Sequence, residues 1–481
     1  MSKKILFRWL AIVLSLGVLA AACGSDREDA ETTTTTTTTT TAPPDDGGGD
    51  DTTTTTEAAP VDPCDGVTLE ATEIGVSEDT IKVIVMADND NILAPGLFDG
   101  ARVGALAWAA DLNERGGIAC RQVDIEFADS MLSREATVNG FLLACSDALA
   151  LVGTTVLLGQ NTEDLNSCPD GNGDPTGVPD LAYITTEVAH QCSSTSFHMS
   201  RPGASCPYDG GERDYVAAVG AVEHLIGESA DPLHGIILIP GDFQTTRDAT
   251  VPQILAHENA GVVYDGYFGV SGAAALSAFT PFVQRMRDNS SNWIYNGSND
   301  ATMINMLEEA SNQGLDLTDS TVLCTLSCYT PAFLEQGDLV EGVYVWTFFL
   351  PFDETETNDE LAAFMAAVDD PFPAAWAAGA WADGVLFERA INQIVERDGL
   401  NAITRQSLID ELGGVTDFDV NGWWGPTDFS SPLTTADCFV LMQVQDNEFV
   451  RIHPAERGEL ACGEGNVFET TTDPAAFTPD T

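Results

Sequence analysis

From Thr80 onward, short apolar runs alternate with stretches whose apolar residues recur every three or four positions. The run TIKVIVMA (Thr80–Ala87) reads as a buried strand, and the segment after it places Phe98, Ala101, Ala105, Ala109 and Leu112 on one helical face. Gly116-Gly117 ends that helix. QVDIEFA then reads as a strand, a helix runs through Phe141 and Leu142 to about Cys145, and ALALVGTT and DLAYITT read as two further strands. Strand and helix in strict alternation predict a parallel sheet with helices on both faces.

The pattern restarts after a break at Pro202-Gly203. A helix is expected over residues 215–226, followed by the strands GIILIPG, GVVYDGYFGV, NWIYNG, TVLCTL and GVYVWTFF with helices between them. Helices over 360–368 and 374–396 lead to a β-rich end, CFVLMQV and EFVRI, across the turn Gln445-Asp446-Asn447. The fold class is therefore α/β with two lobes. No short internal repeat is evident.

The first 62 residues have another character. Lys3, Lys4 and Arg8 precede an apolar run that ends at Cys23, too short for a comfortable membrane span and shaped like a secretory signal. Ala20, Ala21 and Ala22 before Cys23 resemble a bacterial lipobox, which predicts a signal peptide over 1–22 and a lipid on Cys23. Residues 23–62, rich in Thr, Pro, Gly and Asp, hold too little apolar surface to fold and read as a disordered stalk. Residues 467–481 read as a second loose tail.

Composition narrows the function. The formal net charge is -56, and residues 1–22 carry three basic residues and no acid, so their removal leaves -59. No basic stripe is available to neutralise phosphates, which excludes nucleic acid as a partner. The acids are dispersed and read as a solvated surface. Of eleven cysteines, ten remain once Cys23 is assigned to the lipid, an even number suited to disulfides in an exported chain. Spacing alone does not fix connectivity. The pairing expected is Cys64 with Cys120, Cys145 with Cys168, Cys192 with Cys206, Cys324 with Cys328 and Cys438 with Cys462; the first rests on topology, the rest mainly on closeness in sequence.

Several longer pieces carry a family resemblance. GVSEDTIKVIV opens the domain, FDGARVGALAWAADLNERGGI supplies its first helix and glycine turn, and NWIYNGSNDATMINMLEEASNQGL gives a strand, a glycine and a helix. With VEGVYVW and AAGAWADGVLFERAI they extend over nearly all of residues 75–452. In order and spacing the chain resembles the type I periplasmic binding proteins, specifically the branched-chain amino-acid-binding (Leu/Ile/Val-binding-like) subfamily of ABC transporter solute-binding lipoproteins. The resemblance implies two Rossmann-like lobes with parallel-sheet cores, joined by three crossover strands, with a solute in the cleft between them. Lobe 1 would comprise 63–200 and 350–425, lobe 2 201–349 and 426–466.

In open α/β sheets, ligands gather at the carboxyl ends of strands. That rule selects Thr154 and Thr155, then Thr185, Thr186 and Glu187 in the first lobe, and Phe243, Asn299 and Tyr329 in the second. Two departures from the amino-acid binders stand out: Asn299 occupies a position where they often carry an aromatic, and apolar 156–158 replaces a Ser hydroxyl. Glu187 could neutralise an ammonium group.

Other motifs fail on inspection. HENAG at His257 lacks the second histidine of a zinc protease, and GVSGA around Ser271 lacks the last glycine of a nucleophile elbow. Asp170, Asn172 and Asp174 have the spacing of half a calcium loop, but Pro175 and Leu181 replace its glycine and closing acid, so a turn is expected. No cofactor, metal or catalytic residue is expected. The reading is a lipid-anchored extracytoplasmic solute-binding protein whose partners are a small polar or amphipathic solute, an ABC permease and the membrane. A ligand-presenting sensor subunit for a membrane receptor is the alternative, and a surface hydrolase a more distant one.

Overall fold

A computed structural model describes residues 64–91, 93–207 and 209–480. The expected signal peptide, Cys23 and the stalk lie outside the described residues. Residues 62–481 form one compact unit.

The first sheet is wholly parallel. Its strands are β1 (Thr80–Ala87), β2 (Gln122–Asp129), β3 (Ala150–Thr155), β4 (Asp180–Ile184) and β5 (Ser196–Ser200), in the order β2-β1-β3-β4-β5. Every residue of β3 is buried, as a continuous apolar run covered on both faces requires. The helix Asp99–Glu114 packs on this sheet and along the helix Ala375–Asp398. Gly104 allows that approach: a Cβ there would lie 2.0 Å from the Ala377 carbonyl oxygen. Trp108 fills the adjoining space beside Phe387 and donates its indole N–H to Glu388 at 2.8 Å.

After β5 the chain forms β6 (Arg213–Ala218) and enters the second sheet with β7 (His234–Pro240), β8 (Val263–Val270), β9 (Trp293–Asn296), β10 (Thr321–Cys324) and β11 (Tyr344–Thr347). It returns to the first lobe for the helices Asp359–Val368, Ala375–Asp398 and Arg405–Leu412, then crosses back to β12 (Cys438–Gln445), β13 (Glu448–His453) and β14 (Ala461–Cys462). The second sheet runs β13-β12-β11-β10-β9-β7-β8, with β14 beside β12. The pairs β7–β8, β7–β9, β9–β10 and β10–β11 are parallel, whereas β12 and β13 add an antiparallel margin. The chain thus passes between the two sheets three times, near residues 201–212, 348–358 and 417–437.

Two expectations are corrected. The helix anticipated over 215–226 begins at Gly220; residues Arg213–Ala218 are a strand. Nor is the segment after 466 loose. β15 (Val467–Thr472) pairs antiparallel with β6, and beyond it Phe477 packs on Tyr267 while the Asp480 N–H donates to the Tyr267 carbonyl at 2.6 Å. The threonines there are β-branched residues suited to an edge strand, with Val467 and Phe468 half-buried.

Among the described residues, disulfides join Cys64–Cys120, Cys145–Cys168, Cys192–Cys206, Cys324–Cys328 and Cys438–Cys462. No described helix is long and apolar enough to cross a membrane.

Candidate functional site

The segments that follow the carboxyl ends of strands in both sheets line one cavity of about 310 Å³. Leu93, Leu97 and Phe98 follow β1, Leu132 follows β2, Leu157 follows β3, and Thr185 and Thr186 follow β4. From the other sheet come Asp242 and Phe243 after β7, Gly272 after β8, residues 297–299 after β9 and 325–327 after β10. Ser200, Arg201, Phe348 and Ala436 contribute from beside the three crossings, and Trp346 and Trp376 complete an aromatic wall. Trp376 meets Phe98 edge to face at 4.8 Å, which fixes both rings.

A single buried carboxylate assembles the first-lobe wall. Asp88 directly follows β1 with no solvent exposure, and its Oδ1 accepts hydrogen bonds from Ser130 Oγ at 2.7 Å and the Leu132 N–H at 2.9 Å, while Oδ2 accepts from the Leu157 N–H at 2.8 Å. Two loops, those after β2 and β3, are thereby pinned to one side chain, with Leu132 and Leu157 turned to the cavity. Burial pushes the Asp88 carboxyl above the usual range, against the pull of those donors.

Hydroxyl groups on the walls are mostly spent within the protein. Thr185 forms a local turn with Glu187, accepting its N–H at 3.1 Å. Thr186 donates to the Leu157 carbonyl at 3.1 Å, and Thr246 and Thr250 donate to the Phe243 and Thr246 carbonyls, each at 3.0 Å. The lobes touch at the rim, where Thr245 Oγ1 donates to the Thr186 carbonyl at 2.8 Å.

Of the residues selected by strand-end reasoning, the structure brings Thr185, Thr186, Phe243 and Asn299 together on the cavity. Asn299 also caps the helix Asp300–Asn312, its side chain accepting from the Thr302 N–H at 2.9 Å. Four others lie elsewhere. Thr154 and Thr155 are fully buried within β3, since that strand runs to Thr155 and the chain reaches the cavity only at Leu157. Glu187 is buried and turns to Arg134, whose Nη2 approaches its Oε1 at 3.3 Å. Tyr329 belongs to the core: it packs on Phe352, Phe372 and Phe449, and its hydroxyl accepts the Phe352 N–H at 2.9 Å.

Strand-end reasoning missed Arg201. It lies in the first crossing, half-buried, and its Nη2 donates to the Asp428 carbonyl at 2.6 Å and to Thr434 Oγ1 at 2.5 Å. Burial lowers its pKa to about 10, partly offset by Asp428, so it stays charged at neutral pH. The Pro202-Gly203 break marks the place in sequence; nothing marks the side chain's direction.

The rejected motifs are structural. Asp170 Oδ1 accepts from the N–H groups of Asn172 at 2.8 Å and Asp174 at 3.0 Å, which makes the loop a turn held by its own acid. His257 is buried and bonded to the Tyr264 hydroxyl at 2.7 Å. Among the described residues, no group of three or more His, Cys, Asp or Glu is placed to hold a metal.

Two parallel-sheet lobes, three crossings and a cavity at the strand ends invite comparison with solved structures. The isoleucine complex of the branched-chain amino acid transporter substrate-binding protein LivJ from Streptococcus pneumoniae superposes with a TM-score of 0.57 at 15% identity, covering 78% of this chain and 100% of that one. The fold is that of a type I periplasmic binding protein. A fatty acid ABC transporter substrate-binding protein from Thermomonospora curvata gives 0.58 at 14% identity over 84% of this chain and 96% of the other. An ABC transporter substrate-binding protein from Aeropyrum pernix gives 0.60 at 13% over 82% and 98%. A family model described as "Periplasmic binding protein" matches residues 248–448, and it describes binding proteins rather than enzymes. No curated protein matches the sequence significantly.

Proposed function

We propose that the protein is the extracytoplasmic solute receptor of an ABC importer, held at the membrane by a lipid on Cys23 and enclosing one small amphipathic molecule between two lobes. The lobes correspond to 63–200 with 350–425 and to 201–349 with 426–466. The observation that carries the reading is the cavity lined from both sheets and from all three crossings. A solute touching both walls favours the closed arrangement by the contacts it gains only there, so binding is a population shift toward closure. Solved relatives in fold are named for branched-chain amino acids and for fatty acids, which supports a small solute.

Ala249, on the helix Gln244–Ala260, lines the cavity and offers a test. Ala249→Trp should fill the space: native protein purified from its own cell should release a small solute on denaturation, and the variant should carry none while unfolding as cooperatively. Equal solute loads in the two proteins would refute the cavity as the binding site.

A further inference from the structure

We infer that the solute is a monocarboxylate with an apolar tail, its carboxylate held by Arg201 at the hinge end of the cavity. This rests on the cavity being the solute site and adds the solute's chemistry. The argument begins from charge. In a chain of net charge -56, the cavity lining holds two charged side chains, Arg201 and Asp242. Asp242 is exposed and spends Oδ2 on the Gly272 N–H at 2.8 Å. Arg201 is set deeper, between the first and third crossings.

Arg201 is incompletely paired. Both of its hydrogen bonds leave from Nη2 and end on neutral oxygens, and no carboxylate of the described residues forms an ion pair with it. Nε and Nη1 have no acceptor among the described residues. A half-buried guanidinium whose hydrogen bonds reach no carboxylate keeps N–H groups open to an anion, and its planar fork matches a carboxylate. Two amides on the same lining add donors. Gln253 Oε1 accepts from the Tyr295 hydroxyl at 3.0 Å and Asn299 Oδ1 from the Thr302 N–H at 2.9 Å, which leaves the amide NH₂ of each without an acceptor among the described residues.

The walls also argue against a zwitterion. An ammonium beside the carboxylate would need an acceptor of negative charge near Arg201. Glu187 is turned to Arg134, the Thr185 and Thr186 hydroxyls are committed to backbone, and Asp242 sits on the exposed side. Much of the rest is apolar: Leu97, Leu132, Leu157, Met199, Trp346 and Trp376 offer a surface that rewards an acyl or aryl tail.

The test is a titration of delipidated full-length protein, read by tryptophan fluorescence and calorimetry, with octanoate, methyl octanoate and leucine. Octanoate is expected to bind at least tenfold more tightly than its ester, and each methylene between hexanoate and decanoate to tighten binding about fourfold until the space is full. Arg201→Gln should reduce octanoate to the level of the ester and leave the ester unchanged; Arg201→Lys should restore part of the difference. The ester controls for hinge damage, because Arg201 also ties two crossings together. Equal binding of acid and ester, or tighter binding of leucine, overturns the inference while leaving the cavity as the site. Failure of all three probes to bind, with equal solute loads in native and Ala249→Trp protein, removes the cavity reading and the inference with it.

Discussion

Replacing Asp88 tests whether one carboxylate organises the first-lobe wall. Asp88→Asn can keep the hydrogen bonds from Ser130 Oγ and the Leu132 N–H on its remaining oxygen, but presents an NH₂ group to the Leu157 N–H, donor against donor. One stranded backbone donor costs about 1–3 kcal/mol, and relief from burying a charge returns part of it, so a net loss of about 1–2 kcal/mol is expected. Asp88→Ala strands both backbone donors and should cost roughly twice that. Urea unfolding followed by circular dichroism measures these losses. Because Leu132 and Leu157 line the cavity, solute affinity should fall by about tenfold for each 1.4 kcal/mol by which the wall loosens. If both variants unfold within about 0.5 kcal/mol of the native protein, a range usual for surface substitutions, the loops are held by something else and the reasoning fails.

Two further outcomes follow. Asp383 is fully buried, neither carboxylate oxygen has a well-placed partner, and burial with the nearby Asp180 charge pushes its carboxyl well above the usual range, offset in part by the Gly153 N–H. The folded state then holds the proton more tightly than the unfolded one, so this group's contribution is complete below its unfolded pKa of about 4 and is lost as pH rises through the folded value. Asp383→Asn should flatten that decline in melting temperature; an unchanged pH profile would contradict it. Cys23→Ser should move the protein from the membrane to the soluble fraction, and membrane association that persists would remove the lipid anchor.

The legible parts of this fold were those in which periodicity and turn chemistry agreed. TIKVIVMA is the strand Thr80–Ala87 to the residue, and the helix from Asp99 ends before Gly116 and Gly117, both at positive φ. Periodicity failed where two elements share one apolar run. Val216 and Ala217 of β6 lead almost directly into Ala221 and Val222 of the following helix, so the pair read as one helix. The strand-end rule picked Thr185, Thr186, Phe243 and Asn299, which line the cavity, because parallel strands deliver their loops to one side of a sheet. It failed at Tyr329, where the Cys324–Cys328 link and a tight turn carry the ring into the core, and at Arg201, which belongs to a crossing rather than a strand end.

Residues 467–480 close two open sheet margins at once. β15 covers β6, and Asp480 bridges to Phe268 on β8, the outermost strand of the larger sheet, with Oδ2 accepting the Tyr267 N–H at 3.1 Å. Unpaired strand edges are templates for joining another chain. Everything this strap covers precedes it in the sequence, so a partly emerged chain carries both templates bare. The hazard of self-association therefore ends only when the last stretch of the chain has emerged and folded back.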